Sequence, residues 1–200
     1  MSKAVVVPSD RDVRGTLDAP ASDCCVVACP PHPQMGGSRT DPRLEAVSDA
    51  LECACLRFDY GAWDGGRGEL GDTRDALAWA RANHERVGLF GYSFGGCLAV
   101  AAAARESAAG TAPDGVVALS PAARLSAGVD AVAALDDVAC PIAVVYGERD
   151  ATVDAEAVAD RARARGGEVR TLPADHHFVG QTANAGDTVA DLFTHAARDR

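Results

Sequence analysis

Lysine is almost missing from this chain: Lys3 is the only one, and every other Lys/Arg cation is arginine. The 29 acidic residues outnumber the 19 Lys and Arg, for a formal net charge of −10. Nucleic acid and anionic membrane would repel such a chain, so neither is an expected partner. The lysine scarcity suits a GC-rich genome. The acidic balance fits a high-salt cytoplasm and an acidic mesophilic protein alike. No apolar core of signal-peptide type follows Met1, and no run approaches the roughly 20 apolar residues of a membrane span, so the expected location is cytoplasmic. The paired C-x-x-C spacing of a zinc site is missing too. The seven cysteines (Cys24, Cys25, Cys29, Cys53, Cys55, Cys97, Cys140) lie mostly in apolar runs and read as free, reduced, buried thiols. Repeats, low-complexity tracts and linkers are also lacking, and 200 residues read as a single domain, 1–200.

What is there is alternation. Short apolar runs at 4–7, 24–29, 53–58, 87–90, 116–119, 141–146 and 169–172 read as strands, with 12–17 as a hairpin partner for the first. Between them lie helical stretches. Asp41-Pro42 is a helix start; Asp72 or Thr73 reads as the cap of a second helix, after a Gly-rich loop that runs to Gly71. Helices are also expected over Cys97–Arg105, Asp154–Arg165 and about Asp187–Ala197. Pro30 to Gly37 reads as a loop through which no helix or strand could run. Leu125–Val138 reads as a short, weakly patterned connection, too short for a lid. The pattern predicts an α/β fold: a doubly wound, mainly parallel sheet with helices on both faces and an open site.

The stretch that carries chemistry is Gly91-Tyr-Ser93-Phe-Gly95, between an apolar strand and an Ala-rich helix. Strand, G-x-S-x-G, helix is a nucleophile elbow: the serine hydroxyl stands above the sheet, and the flanking glycines let strand and helix approach. A serine hydroxyl needs a base, and the base a group that fixes its tautomer. Asp150 and His176 follow Ser93 in the order serine, acid, histidine, each just after a strand, where ligands bind in such sheets. Asp154 is a rival acid, placed to cap the next helix. Of the adjacent His176 and His177 only one can face Ser93; His84 and His195 lie at or in helices and read as solvated. The oxyanion needs backbone N–H donors: Phe94 supplies one, and in the loop after the 24–29 run Gln34 is the candidate for the second, with Met35 behind it because Pro33 has no N–H. Met35, Tyr60 and Trp63 could line a pocket or pack at the sheet edge.

Several blocks resemble the small, lidless α/β-hydrolases grouped with dienelactone hydrolases: Pro31-His32-Pro33 with Gly36-Gly37, Leu56-Arg-Phe-Asp-Tyr60, Gly68-Glu69 with Asp72, Gly91-Tyr-Ser93-Phe-Gly95-Gly96, Gly147-Glu-Arg-Asp150, and Ala174-Asp-His176-His177-Phe178. They span nearly the whole chain, in the family's order. The resemblance implies that His176 is the catalytic histidine and that His177 replaces an aromatic residue. It also implies a Gly-rich loop tied down by Arg57, Glu69 and Asp72. Substrate contacts are expected from His32, Met35, Tyr60 and Tyr92. Dienelactone hydrolases proper carry a cysteine where this chain has Ser93. The resemblance therefore implies a reaction class rather than dienelactone as substrate.

The expected function is hydrolysis of a small acyl substrate, an ester, thioester or lactone, with no metal and no organic cofactor. Acyl transfer or amide cleavage would use the same triad. A non-catalytic hydrolase-fold binding protein would turn over no activated ester, and a thiol-based redox protein would keep its activity without Ser93.

Overall fold

The computed structural model describes residues 1–125 and 128–198. The apolar runs assemble into one eight-stranded sheet: β1 (Ser2–Val6), β2 (Arg14–Asp18), β3 (Cys24–Cys29), β4 (Ala54–Asp59), β5 (Arg86–Tyr92), β6 (Val116–Leu119), β7 (Ile142–Gly147) and β8 (Glu168–Leu172). Their spatial order is β1-β2-β4-β3-β5-β6-β7-β8. The β1–β2 hairpin adds antiparallel to β4, and every other pairing is parallel.

The helices are α1 (Pro42–Ala50), α2 (Arg67–Asn83), α3 (Phe94–Ala108), α4 (Ala131–Ala134), α5 (Ala155–Ala164) and α6 (Thr182–Arg198). On one face, Leu44 and Val47 of α1 and Val189 and Leu192 of α6 pack on Val26, Phe90, Val117 and Val145. On the other, Leu77, Leu98 and Val158 from α2, α3 and α5 pack on Val27, Leu89, Ala118 and Val144. Neighbouring strand residues thus face opposite cores, which is why the central strands are apolar throughout rather than alternating. The expected doubly wound α/β architecture is the one observed.

Four local expectations are corrected. First, α2 starts at Arg67, not at Asp72 or Thr73: Gly66 is its N-cap, and the Glu69 carboxylate accepts the N–H groups of Asp64 and Gly66, each at 2.7 Å. Asp72 and Thr73 lie inside the helix, fully buried. Second, α6 begins five residues earlier than Asp187, running through Gly186. A Cβ on that glycine would stand 2.5 Å from Ala46 O of α1, so Gly186 serves helix contact rather than helix termination. Third, Pro33–Met35 forms one 3-10 turn capped by His32, inside what reads as loop, and the 125–138 connection holds α4 and a second such turn, Leu135–Asp137, around residues 126–127, which are outside the described residues.

The fourth correction concerns the cysteines. Cys24 and Cys53 form a disulfide, with Cα atoms 5.1 Å apart. The β3–β4 register sets Cys25 against Ala54, so the residue before each sits at the matching strand start. The five others are free and buried. Burial pushes the thiols of Cys25, Cys29 and Cys97 up to about 12, which leaves them without the thiolate that redox or nucleophilic chemistry needs.

Candidate active site

Ser93 occupies the single residue between β5 and α3, in the left-handed region at φ 56 and ψ −115. Such strain in a non-glycine residue persists only where its surroundings enforce it. A Cβ on Gly91 would lie 2.1 Å from Gly95 O, and one on Gly95 would lie 2.2 Å from Cys29 O and 2.4 Å from Pro30 O. All of these are backbone atoms that cannot step aside. The two glycines are therefore what permits the turn. Ser93 N–H donates to Leu119 O at 2.9 Å, which ties the elbow to the end of β6.

His176 arrives on the loop after β8. Its Nε2 stands 3.1 Å from Ser93 Oγ and its Nδ1 stands 2.8 Å from Asp150 Oδ2. Asp150 sits in the turn that leaves β7; its Oδ1 accepts the N–H groups of Thr152 (3.0 Å) and Val153 (3.4 Å). Burial alone would push its carboxyl up, but hydrogen bonds from His176 and Thr152, helped by the nearby Ser120 hydroxyl, outweigh burial and hold it below the ordinary carboxylate range. A permanently charged acid beside Nδ1 is what a base-orienting group requires. The rival Asp154 caps α5, accepting Ala157 N–H at 3.3 Å. Neighbouring His177 is exposed, its ring 5.3 Å from that of His176. Residues 147 and 174 hold the two loops together: a Cβ on Gly147 would lie 2.6 Å from Ala174 O, and Arg149 N–H donates to that same oxygen at 2.9 Å.

Of the sequence-derived contact residues, two move to a different role. Tyr92 is 1 % exposed; its hydroxyl donates to His176 O at 3.0 Å, its ring carries the Arg43 guanidinium at 4.6 Å, and burial pushes its phenol up to about 12. It points down into the core because β5 turns Phe90 and Tyr92 to the α1–α6 face. Tyr60 is also buried and donates to Pro30 O at 3.1 Å. Both brace the loops that carry the site instead of lining it. His32 and Trp63 remain half-exposed and stack 4.5 Å apart, each against Phe94 (4.9 and 5.7 Å), the residue after Ser93. Met35 is 84 % exposed.

Phe94 N–H heads α3, among the donors that a helix start leaves free of its own ladder. Gln34 N–H, by contrast, donates to His32 Nδ1 at a long 3.3 Å, and Met35 N–H donates to His32 O at 3.0 Å, because His32 caps the 3-10 turn. Glu69 and Asp72 do tie down the loop 61–66, Asp72 through Gly61 N–H (2.9 Å) and Arg11 Nε (2.8 Å). Arg57 does not; it bonds Asp18 and Arg39 O, between β2 and α1. His84 is half-buried, with Nδ1 on Ser22 O at 2.9 Å, rather than solvated, and the His195 side chain lies outside the described residues. Among the described residues no cluster suits a metal ion and no helix is long and apolar enough to cross a membrane.

A mainly parallel sheet, a strained serine at the β5–α3 elbow, and an acid and a histidine at the ends of later strands define an α/β-hydrolase without a lid. More specifically, the chain belongs to the dienelactone hydrolase family, whose sequence profile matches residues 63–187, and it is an esterase-type hydrolase. Its structure is similar to an α/β serine hydrolase homologue of Coxiella burnetii (TM-score 0.80, 20% identity, 94% of this chain and 96% of that one). It is likewise similar to the lidless α/β serine hydrolase of Xanthomonas campestris (TM-score 0.78, 23% identity, 99% and 94%). A dienelactone hydrolase of Anabaena variabilis aligns at a TM-score of 0.75, with 23% identity over 98% and 97% of the two chains. No curated protein matches the chain.

Proposed function

We propose that this protein cleaves a small ester, thioester or lactone through a Ser93–His176–Asp150 triad and an acyl-enzyme. The observation that carries the reading is the unbroken hydrogen-bond chain from Ser93 Oγ through both nitrogens of His176 to Asp150, at 3.1 and 2.8 Å. In this reading His176 Nε2 takes the Ser93 proton as Oγ attacks the substrate carbonyl. The C–O or C–S bond to the leaving group then breaks, and the same proton passes to that group. Water, deprotonated by His176, attacks the acyl-enzyme and frees the acid and Ser93. Asp150 stays ionised throughout and holds the imidazolium.

Phe94 N–H is the first oxyanion donor. Gln34 N–H is the second, exchanging its long bond to His32 Nδ1 for the stronger one to an oxyanion. The half-exposed rings of His32 and Trp63, with exposed Met35, form the surface on which a small acyl group rests beside Phe94. The chemistry requires no metal or organic cofactor, and the net charge of −10 opposes nucleic acid and anionic membranes as partners.

Hydrolysis of p-nitrophenyl acetate tests the reading. Turnover should fall about 10³-fold or more in Ser93→Ala and His176→Ala, and fall strongly in Asp150→Asn. Undiminished turnover in folded Ser93→Ala would sink it.

A further inference from the structure

Ser120 follows directly after β6 and has two unfavourable features. Its backbone sits in the left-handed region at φ 40, one of four described non-glycine residues with positive φ. Its side chain is fully buried (0 % exposed), and Oγ makes no hydrogen bond. A strained backbone and an orphaned buried hydroxyl are both unfavourable, and alanine in the same place would remove the second. The segment that follows is no spare loop. Ser120 N–H donates to Val145 O of β7 at 2.7 Å, five residues before Asp150, and Ala122 N–H donates to Ser93 O at 3.1 Å. Ser120 thus stands between the nucleophile's turn and the acid's turn.

The Asp150 carboxylate is the acceptor that matches it. The side chain of Asp150 is 2 % exposed, so water cannot fill its lone-pair sites. Oδ1 takes two backbone N–H groups and Oδ2 takes His176 Nδ1, three donors for a group with about four acceptor sites. Ser120 is the hydroxyl close enough to help hold this carboxylate charged. Because it is buried, it cannot touch substrate.

We infer that Ser120 is a positioning residue for the triad: its hydroxyl donates the fourth hydrogen bond to Asp150, locking the carboxylate's rotation so that Oδ2 stays on His176 Nδ1 when the imidazolium forms. The inference rests on the triad reading above. No bond to substrate is involved, so Ser120 acts on the rate of the chemical steps and not on substrate binding.

The test compares Ser120→Ala and Ser120→Gly with wild type in p-nitrophenyl acetate turnover and in the downfield proton NMR signal of His176 Nδ1–H. Both variants should lower kcat about 10-fold or more, with KM within about twofold, and should shift or broaden that signal. Glycine relieves the backbone strain and folds at positive φ, yet it also lacks the hydroxyl. Recovery of kcat in Ser120→Gly, or unchanged kcat and signal in both variants, would overturn the inference. In an Asp150→Asn background the Ser120→Ala change should add less than about twofold; a full additive loss there would also overturn it. Ser93→Ala measured alongside separates the two failures: if it keeps turnover the triad reading falls, and if it is inactive while the Ser120 variants are normal only the role of Ser120 falls.

Discussion

The two ends of the sheet are built on opposite rules. At the C-terminal ends of β5, β6, β7 and β8 the chain carries strain and polar groups: Ser93, Ser120 and Phe178 hold positive φ, the side chains of Asp150 and His176 are buried, and the half-exposed rings of His32 and Trp63 lie alongside. At the N-terminal ends of β3 and β4 a disulfide joins Cys24 to Cys53, beside an apolar cavity of about 140 Å³ lined by Cys25, Val26, Val87 and Phe193. That cavity shares no residue with the triad. One end carries strain and buried polar groups around Ser93, and the other supplies packing and a covalent tie. Strain at a functional site persists only when its surroundings over-determine it, and here the contacts of Gly91 and Gly95 and the bonds to Leu119 and Val145 do so.

This contrast predicts separable effects. The largest belongs to the upper end: Ser93→Ala should cost about 10³-fold or more in turnover while thermal unfolding stays near wild type, because the change removes a methylene-borne hydroxyl and no packing. Gly95→Ala should damage both properties. Its Cβ would press on Cys29 O and Pro30 O at 2.2 and 2.4 Å, so a loss of more than about 3 kcal/mol is expected in denaturant unfolding, with little soluble enzyme. At the lower end, reduction of the disulfide or Cys24→Ser should lower stability by about 2–4 kcal/mol and leave turnover at 25 °C within about twofold. A large activity loss on reduction would erase the contrast.

Acid gives a finer test. The Asp150 carboxyl lies below its ordinary range when folded, so the stability it contributes is present above the unfolded value near about 3.9 and is lost as pH falls through the lower folded value. Any stability gap between wild type and Asp150→Asn should therefore close below about pH 4, and a gap unchanged down to pH 2 would contradict the charge assignment. The smallest effect is expected of His177→Ala, whose exposed ring bonds to none of the triad atoms: turnover within about twofold of wild type.

How much of this was legible in the sequence follows from how local each feature is. The elbow was legible because its backbone demands glycine at two fixed positions, and the resulting contacts with Cys29, Pro30 and Gly95 leave no substitute. Asp150 and His176 were legible as candidates because each follows an apolar run, and the structure brings both to Ser93. The start of α2 was hidden because its cap, Gly66, has no side chain to announce it, whereas Asp72 looks like a cap and is a buried partner of Arg11. The disulfide was hidden because Cys24 and Cys53 are 29 residues apart and meet only through the β3–β4 register. Tyr60 and Tyr92 look like pocket residues by type; only their direction from the sheet reveals that they brace loops. Ser120 carries no sequence signal beyond a serine before a proline. Its strain and its orphaned hydroxyl exist only in the fold.

The central claim is that Ser93 is a nucleophile activated by His176 and Asp150. Its most direct test is a fluorophosphonate probe with intact-mass readout and peptide mapping. The account predicts one adduct per chain, on the peptide that contains Ser93, formed rapidly in wild type, slowly in His176→Ala and Asp150→Asn, and not at all in Ser93→Ala. A folded wild-type protein that takes up no probe, or takes it up on another residue, would contradict it.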